Sequence, residues 1–298
     1  MKRIEVFAPA KVNLSLHVTG RRTDGYHLLD SLVVFAPVGD RLVLRGADDW
    51  SLTVDGPEAE DVPTDGRNLA LAAATLLGDA PRAALSLHKA LPPASGIGGG
   101  SADAAAALRG MISLANDGTA GGDGAALDRH APGILALGAD IPMCLRSAPA
   151  RVRGIGEDQS PVNLPPLPAV LVNPRRPVST PEIFRRLECR DNPAMPDVLP
   201  PFPDAVALVA FLAGMRNDLE APACAAQPAI VEVLAALRKR GGCRLARMSG
   251  SGATCFGLFD SNDEAEAAAA AISREHPGWW VAHGALGDMS GRAAPVRQ

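Results

Sequence analysis

Apolar and polar residues alternate near the amino terminus, and this alternation predicts β-structure. Residues 3–8 form one predicted strand, and after Pro9 the segment KVNLSLHV predicts a second one. Successive side chains of a strand point to opposite faces, so one face of the second strand carries Lys11, Asn13, Ser15 and His17. A lysine beside an asparagine can serve an anionic ligand, but a polar strand face is more often simply solvated. The pattern alone therefore favours a solvated face.

The rest of the pattern predicts a mixed α+β protein. Further strands are expected where short apolar runs are bounded by turn residues, at 28–37, 41–45, 51–54 and 84–89. A helix is expected at residues 68–77, and helices and strands alternate after residue 204. Residues 149–203 hold 13 of the 26 prolines, and proline at that density breaks regular structure. We expect a domain seam there, which assigns residues 1–160 to a first domain and 161–298 to a second.

A glycine-rich stretch separates the predicted strand at 84–89 from an alanine-rich predicted helix. In LPPASGIGGGSADAAAAL, glycines stand at positions 96, 98, 99 and 100. Glycine permits positive φ and close approach to a ligand, and the helix that follows offers unpaired N–H groups and the positive end of its dipole. This order can hold phosphate, although glycines alone fit a flexible loop equally well. Ser101 and Asp103 suit a capped first turn and favour the phosphate-binding interpretation. The stretch is neither a Walker A motif nor GxGxxG.

One aspartate, Asp140, stands in apolar surroundings after a predicted helix. Gly138 is placed to end that helix, and Pro142 follows two residues after Asp140. A carboxylate beside Leu137 and Ile141 needs a charged or hydrogen-bonding partner, and such sites are frequent in catalysis. The alternative is a common structural role, in which Asp140 is the N-cap of a short helix starting at Ile141 or Pro142.

Two short motifs admit either a binding role or a structural one. Asp24-Gly25 predicts a turn, and it is followed by Tyr26, the only tyrosine, and by His27. An aromatic ring and an imidazole can stack on a heterocycle and hydrogen-bond to it, or they can pack on a sheet edge. Near the other end, SGSGATCFGLF places a small-residue loop before a predicted strand, and this loop alone also fits a hairpin turn.

Composition excludes several classes of partner. The net charge of −4 and the pI near 5.9 give no broad basic surface, so nucleic acid is not expected. No apolar run reaches the roughly 18 residues that span a bilayer, and the amino terminus has no signal-like core, so we expect a cytoplasmic protein without a membrane partner. Five scattered cysteines suit reduced thiols, and six histidines form no HxH or HExxH motif, so no protein-ligated metal is expected.

Several segments together resemble the small-molecule kinases named for galactokinase, homoserine kinase, mevalonate kinase and phosphomevalonate kinase. Their phosphate loop follows Pro-x3-Gly-Leu-Gly-Ser-Ser-x-Ala, and PPASGIGGGSADAA stands in the same place here. APAKVNLSLHVTGRRTDGYHLLDSL, LALGADIPMCL, MRNDLE and MSGSGATCFGLF also match, in the family's order, over nearly the whole chain. PAKVNL together with DGYH is similar to the branch that phosphorylates a cytidine diphosphate-linked methylerythritol, on the non-mevalonate route to isoprenoid precursors. Ala94-Ser95 and Ala102 depart from the usual glycines and second serine, which keeps the loop small but removes a hydroxyl.

The resemblance implies a fold and an activity. The fold would be α+β, with an N-terminal ribosomal-protein-like α/β domain, a C-terminal ferredoxin-like α/β sandwich and the active site between them. The activity would be ATP-dependent phosphorylation of the 2-hydroxyl of the methylerythritol group. Mg²⁺ would arrive with ATP, since no carboxylate cage for it is visible in the sequence. The enzyme would be a monomer or a weak homodimer.

The resemblance also implies roles for individual residues. Asp140 would take the proton from the attacking hydroxyl, and Lys11 would hold Asp140 ionised and stabilise the transferring phosphoryl group. The ATP-binding set is the phosphate loop with two residues near the adenine: Pro92, Pro93, Ala94, Ser95, Gly96, Ile97, Gly98, Gly99, Gly100, Ser101, Ala102, Asn68 and Lys89. The substrate-binding set surrounds the cytosine and the diphosphate: Asn13, Tyr26, His27, Thr180, Phe184, Gly250, Ser251 and Gly252. Tyr26 would stack on the cytosine, His27 would read its edge and Phe184 would form a second wall.

Three other interpretations compete with this one. A sister kinase acting on mevalonate, homoserine or a sugar would have no base for Tyr26 and His27 to bind. A non-catalytic sensor of a nucleotide or metabolite would not need both Lys11 and Asp140. A nucleotide-binding module with a purely structural loop would not carry five matching segments in one order. Cytidine binding and ATP turnover separate the expected kinase from these alternatives.

Overall fold

The computed structural model describes residues 2–78, 81–116 and 123–298. Its strands are β1 Arg3–Arg21, β2 His27–Gly46, β3 Ser51–Asp55, β4 Ala83–His88, β5 Ala150–Gly154, β6 Asp158–Pro161, β7 Leu167–Asn173, β8 Cys243–Met248, β9 Cys255–Phe259, β10 Trp280–Leu286 and β11 Val296–Arg297. Its helices are α1 Leu69–Leu76, α2 Gly99–Ala115, α3 Asp123–Leu137, α4 Ile141–Arg146, α5 Thr180–Arg185, α6 Ala205–Ala213, α7 Glu220–Ala226, α8 Ala229–Arg238, α9 Asn262–Glu275 and α10 Ser290–Ala293.

The strands form two sheets, and the prediction of a mixed α+β protein is confirmed. The first sheet has the order β11-β1-β2-β4-β3, with β5 also paired to β2 and β6 paired to β5. The second sheet is antiparallel, in the order β10-β7-β9-β8. Helix α2 packs against the first sheet with α1 and α4 beside it, while α8 and α9 pack against the second. The chain enters the second sheet at β7 and returns to the first at β11.

Two of the predicted strand boundaries are wrong. β1 continues through Pro9, and β2 continues through the expected gap between residues 37 and 41. The two strands pair antiparallel along their length and are joined by the predicted turn at Asp24-Gly25, where Gly25 has a φ of 96°. The register shifts between Pro9 and Lys11. Proline has no N–H to donate, and a bulge lets it remain within a strand.

Small side chains bring α2 close to the first sheet. Ala102 and residues 104–107 are buried, and a side chain on Gly110 would come within 2.3 Å of Leu44. Alanine and glycine leave the helix backbone near β1 and β2, because no bulky side chain stands between them. The first turn of α2 is thereby fixed beside the end of β4, where the phosphate loop lies.

The polar face of β1 is buried, which contradicts the expected solvated face. Its four residues are at most 5% exposed: Lys11, Asn13, Ser15 and His17. The proline-rich segment 192–203, whose role the sequence left open, covers part of this face. The Ser15 hydroxyl lies 3.3 Å from Sδ of Met195, and His17 Nδ1 lies 3.1 Å from the carbonyl oxygen of Pro193. This segment therefore provides the polar face with a cover and with hydrogen-bond partners.

Candidate active site

The glycine-rich loop joins β4 to α2, so the predicted order of strand, loop and helix is confirmed. Gly96 and Gly98 adopt positive φ, 77° and 65°, and Gly98 occupies the N-cap position of α2. Ser101 and Asp103 do not cap the helix as expected, because the cap is a glycine and Asp103 turns toward Lys89. Gly98, Gly99, Gly100 and Ser101 line a cleft, and the first turn of α2 opens toward it. A helix N-terminus without a side-chain cap offers its N–H groups to an anion.

Lys11 and Asp140 form an ion pair on the wall of this cleft. Nζ of Lys11 lies 3.0 Å from Oδ2 of Asp140 and donates to Oδ1 of Asn13 at 2.8 Å. Asp140 does occupy the N-cap position of α4, but within the described chain its side chain makes no capping hydrogen bond. The Lys11 side chain is only 6% exposed, whereas that of Asp140 is 37% exposed. The carboxylate is therefore held by a buried cation and remains open to the cleft.

Hydrogen bonds behind the pair fix the position of Asn13. Its Nδ2 donates to Oγ of Ser31 at 2.7 Å, and Ser31 in turn donates to the carbonyl oxygen of Ser15 at 2.6 Å. The N–H of Asn13 donates to Oγ of Ser249 at 3.1 Å. Sequence reasoning missed Ser31 and Ser249, although Ser31 follows the DGYH motif closely and Ser249 opens the second glycine loop.

The second glycine loop, residues 249–252, packs directly on the first. Ser249 Oγ donates to the carbonyl oxygen of Gly96 at 3.1 Å, and Gly250 and Gly252 have positive φ of 56° and 88°. A side chain on Gly96 would come within 2.6 Å of the Ser249 carbonyl oxygen, so only glycine fits this contact. Ser251 lies in the cleft with its Oγ 2.6 Å from Oγ1 of Thr180. The loop connects β8 and β9, and it also forms one wall of the cleft.

Tyr26, His27 and Phe184 lie together at the far end of the cleft. The rings of His27 and Phe184 stack with centroids 4.7 Å apart and an angle of 22° between their planes. Tyr26 is 59% exposed at the rim. Burial lowers the pKa of His27, and the positive charges of Arg21 and Arg190 lower it further, so the imidazole is neutral at pH 7. Among the described residues, Nε2 of His27 is buried without a hydrogen-bond partner.

Asp140 stands between two lobes of the cleft. One lobe, of about 520 Å³, contains the glycine loops, Lys11 and Thr180. The other, of about 710 Å³, contains Tyr26 and His27, and both lobes share Asp140 and Phe184. A separate cavity of about 340 Å³ is lined by Pro92, Pro93 and Ala94, at the start of the first glycine-rich loop.

Asn68 and Lys89 do not line the cleft. The Asn68 side chain caps α1 by accepting from the N–H of Ala70 at 2.9 Å, and its amide donates to the carbonyl oxygen of Pro63 at 2.8 Å. Lys89 is 4% exposed, and its ammonium binds the carboxylates of Asp40 and Asp103, two residues for which the sequence analysis proposed no site role. The side chains of Asn68 and Lys89 are therefore both engaged in hydrogen bonds or ion pairs within the fold. Their expected role in binding the adenine of ATP stays a prediction.

The described part of the chain shows neither a membrane span nor a metal cluster. Within residues 2–78, 81–116 and 123–298, every helix is too short or too polar to cross a bilayer. Over the same residues, no three histidine, cysteine, aspartate or glutamate side chains are grouped to hold a metal ion. All five cysteines are free thiols.

Comparison with known proteins identifies the family. Residues 68–147 match the model of the N-terminal domain of GHMP kinases, and residues 205–278 match the model of their C-terminal domain. The chain belongs to the GHMP kinase family. It is a small-molecule kinase with the two sheets already described, and its first glycine-rich loop lies within the first matched domain.

Curated relatives of the kinase share about half of its residues. It is 54% identical to the 4-diphosphocytidyl-2-C-methyl-D-erythritol kinase of Roseobacter denitrificans, over 98% of this chain and 96% of the relative. It is 55% identical to the enzyme of the same name from Paracoccus denitrificans, over 94% of this chain and 95% of the relative.

Solved structures agree with this family assignment. A crystal structure of a 4-(cytidine 5'-diphospho)-2C-methyl-D-erythritol kinase superimposes with a TM-score of 0.74 and 35% identity, covering 95% of this chain and 99% of that one. The homoserine kinase of Cytophaga hutchinsonii superimposes with a TM-score of 0.66 at 20% identity, covering 99% and 97%. The second likeness shows the shared fold alone.

Proposed function

We propose that the kinase transfers the γ-phosphoryl group of ATP to the 2-hydroxyl of 4-diphosphocytidyl-2-C-methyl-D-erythritol, in the non-mevalonate route to isoprenoid precursors. The names of the relatives point to this substrate. The observation that carries the proposal is the position of the Lys11–Asp140 pair, between the phosphate loop and the aromatic end of the cleft. A hydroxyl bound beside Asp140 lies between a place for polyphosphate and a place for a base.

Asp140 acts as the general base in this proposal. Its carboxylate is open to the cleft, and the ammonium of Lys11 at 3.0 Å holds it in place on the wall. Asp140 accepts the proton of the substrate hydroxyl as the oxygen attacks the γ-phosphorus. Lys11 then stabilises negative charge on the transferring group, since positioning and charge stabilisation supply most of the catalysis in phosphoryl transfer. Asn13 keeps the ammonium in place through its hydrogen bond.

ATP binds across the phosphate loop in this proposal. Its phosphates lie on the N–H groups of residues 96–101, at the start of α2. The cavity beyond Pro92, Pro93 and Ala94 is the space left for the adenine, because the other end of the cleft is needed for the second substrate. Mg²⁺ enters with ATP as part of that substrate, coordinated mainly by phosphates and water.

The cytidine occupies the aromatic end of the cleft. His27 and Phe184 already contact each other, so a base stacks on a free ring face, between Phe184 and the exposed ring of Tyr26. The neutral imidazole of His27 can donate a hydrogen bond to the edge of the base or accept one from it. Within the described residues, its Nε2 has no other hydrogen-bond partner. The second glycine loop then offers the N–H groups of Gly250 and Ser251 to the diphosphate, whereas that of Gly252 already donates to the carbonyl oxygen of Ser249 at 3.1 Å.

The test is phosphate transfer from Mg-ATP to 4-diphosphocytidyl-2-C-methyl-D-erythritol, followed by product mass, with homoserine and mevalonate as alternative substrates. The wild type should add one phosphate to the cytidine-containing substrate alone. Turnover of homoserine or mevalonate instead would favour a sister kinase, and ATP binding without turnover of any substrate would favour a sensor.

We also propose the finer features that the sequence suggested. The first domain, residues 1–160, takes the ribosomal-protein-like fold, and the second, residues 161–298, takes the ferredoxin-like sandwich. Two features support this division: β6 ends at Pro161, and β7 opens the second sheet. We further propose a cytoplasmic monomer or weak homodimer, for which the five free thiols suit a reducing compartment. Sedimentation at several concentrations measures the oligomeric state.

A further inference from the structure

Lys89, Asp40 and Asp103 form a closed cluster directly beneath the phosphate loop. The ammonium of Lys89 donates to Oδ2 of Asp103 at 2.8 Å and to Oδ2 of Asp40, and all three residues are at most 4% exposed. Asp40 also accepts through Oδ1 from the N–H groups of Ala90 and Leu91, at 2.6 and 2.9 Å. The cluster therefore ties β2 and the end of β4 to the first turn of α2.

One ammonium serves two carboxyl groups in this cluster. Within the described residues, Oδ1 of Asp103 is buried and has no hydrogen-bond partner. A buried ionised oxygen without a partner is strongly unfavourable, and two carboxylates at one site repel each other. A proton on Asp103 removes the charge from this oxygen and ends the repulsion between the two carboxyl groups, which both contact the one ammonium of Lys89. Burial raises the pKa of Asp103 to about 8 despite the attraction of Lys89, and the charge of Asp40 adds to the rise.

Among the described residues, the other elements around α2 supply no second cation to Asp103. From β1, Lys11 is already paired with Asp140, which precedes α4. From α4, Cys144 contributes a thiol whose pKa burial raises to about 12, so it stays neutral. On α2 itself, Arg109 donates to the backbone carbonyl oxygens of Cys144, Leu145 and Phe7.

Among the described residues, the other neighbours of α2, which are α1, α3 and β2, also place no further cation beside Asp103. Helix α1 has no ionisable residue in its sequence LALAAATL. On α3, Asp128 and Arg129 are exposed and His130 is half-buried. On β2, Asp40 is the carboxylate that faces Asp103, and it belongs to the cluster.

We propose that Asp103 and Asp40 share one proton, and that this proton keeps the N-terminus of α2 electropositive enough to bind the ATP phosphates. A side chain on Gly99 would lie 3.6 Å from Nζ of Lys89, so the cluster lies immediately beneath the loop N–H groups. With the proton, one ammonium and one carboxylate leave the cluster neutral. Without it, a net negative charge lies under the amides that hold the polyphosphate. Asp103 is thus a positioning residue that acts through the loop, and this inference rests on the ATP site proposed above.

The first test measures KM for ATP across neutral and alkaline pH in the wild type and in Asp103→Asn. Above a pH of about 8, the wild-type KM for ATP should rise roughly three- to tenfold with kcat little changed, as expected for one buried charge acting on a nearby polyphosphate through a partly screening medium. Asp103→Asn keeps the shape and stays neutral, so its KM should stay flat. The surface variant Asp158→Asn should follow the wild type. A flat wild-type profile, or the same alkaline rise in Asp103→Asn, would overturn the proposal.

A second test does not depend on the substrate or on activity. Infrared difference spectra should show the carbonyl stretch of a protonated carboxylic acid in the wild type, lost as pH rises through about 8 and missing in Asp103→Asn. If that variant does not fold, Asp40→Asn serves instead, because it removes the second carboxyl and should leave Asp103 ionised beside Lys89. A wild type without the band is incompatible with a shared proton, even if the kinase acts on the proposed substrate. If the band is present but the enzyme is inactive on that substrate, the shared proton is supported and only the proposed function is wrong.

Discussion

Lys11 and Lys89 have the same chemistry and different surroundings. Each side chain is at most 6% exposed and is paired with aspartate. The partner of Lys11, Asp140, is 37% exposed on the wall of the cleft, whereas the side chains of Asp40 and Asp103 are at most 4% exposed. A carboxylate that a substrate can reach can accept its proton, whereas the buried carboxyl groups beside Lys89 cannot contact a substrate and can act on it only through the loop above them. The exposure of the partner, rather than the burial of the lysine, separates a reactive pair from a structural one.

The largest effect on activity should come from the Lys11–Asp140 pair, whose carboxylate faces the cleft. Asp140→Asn keeps the size of the side chain but removes the base, so kcat should fall by roughly 10²- to 10⁴-fold. Steady-state kinetics with Mg-ATP and the cytidine-containing substrate measure this loss, and calorimetry should show both ligands still binding. Asp158→Asn, an exposed aspartate on β6, is the matched control and should keep full activity. A kcat within a few-fold of the wild type would remove Asp140 from the role of base.

The buried cluster of Lys89, Asp40 and Asp103 should have its largest effect on stability. Lys89→Met leaves two buried carboxyl groups without their cation, so the free energy of unfolding should fall by about 3–5 kcal/mol. Lys11→Met should lose activity but cost less than about 2 kcal/mol, because Asp140 keeps contact with water. Urea unfolding at pH 7 measures both variants. Adding Asp103→Asn to Lys89→Met should recover part of the loss, since one unpaired carboxyl is removed. Equal losses in the two lysine variants would erase the distinction between the pairs.

In the cleft that Asp140 faces, Phe184 is expected to affect the binding of the cytidine-containing substrate. Phe184→Ala removes a stacking surface, and base stacking on an aromatic ring is worth about 1–3 kcal/mol. The KM for the cytidine-containing substrate should rise roughly 5- to 100-fold, while the KM for ATP stays within about twofold. Phe202→Ala is the control, because Phe202 packs against Phe211 away from the cleft. A matching rise in the KM for ATP would show a general distortion of the cleft.

The smallest effect is expected at the hydrogen bond between Thr180 and Ser251. Thr180→Val preserves the shape of the side chain and removes the hydroxyl that lies 2.6 Å from Ser251 Oγ. A neutral hydrogen bond contributes about 0.5–1.5 kcal/mol, so kcat/KM should fall roughly two- to tenfold with unfolding little changed. Thr53→Val, on β3 outside the cleft, provides a matched control. A loss larger than that of Phe184→Ala would give Thr180 a direct role in the reaction.

Local patterns in the sequence predicted the local parts of this molecule. The order of strand, glycine loop and helix follows from residues within about 20 positions, and so does the turn at Asp24-Gly25. The Lys11–Asp140 pair joins residues far apart in the chain, and only the resemblance to known kinases suggested that they meet. The structure adds that α4 begins at Ile141 while the carboxylate of Asp140 stays free for Lys11.

Long-range burial explains the predictions that failed. Side chains along a strand alternate between its two faces, so the sequence shows which ones share a face of β1. It does not show that segment 192–203 covers Ser15 and His17. Asp40 and Asp103 were missed as a cluster for the same reason. One signal was available at Asp103, because an aspartate within an alanine-rich helix, on the side that packs against the sheet, requires a buried cation.

β11 covers a short part of the β1 edge of the first sheet, and it is synthesised long after the residues with which it pairs. Val296 pairs with Glu5 and Arg297 with Ile4, so residues about 290 positions apart become neighbours. At a translation rate of roughly 5–20 residues per second, the edge of β1 waits on the order of 15–60 s on the ribosome before its partner exists. An uncovered strand edge is a template for pairing with another chain. During that interval, the edge of β1 at Ile4 and Glu5 is open to pairing with a neighbouring nascent chain.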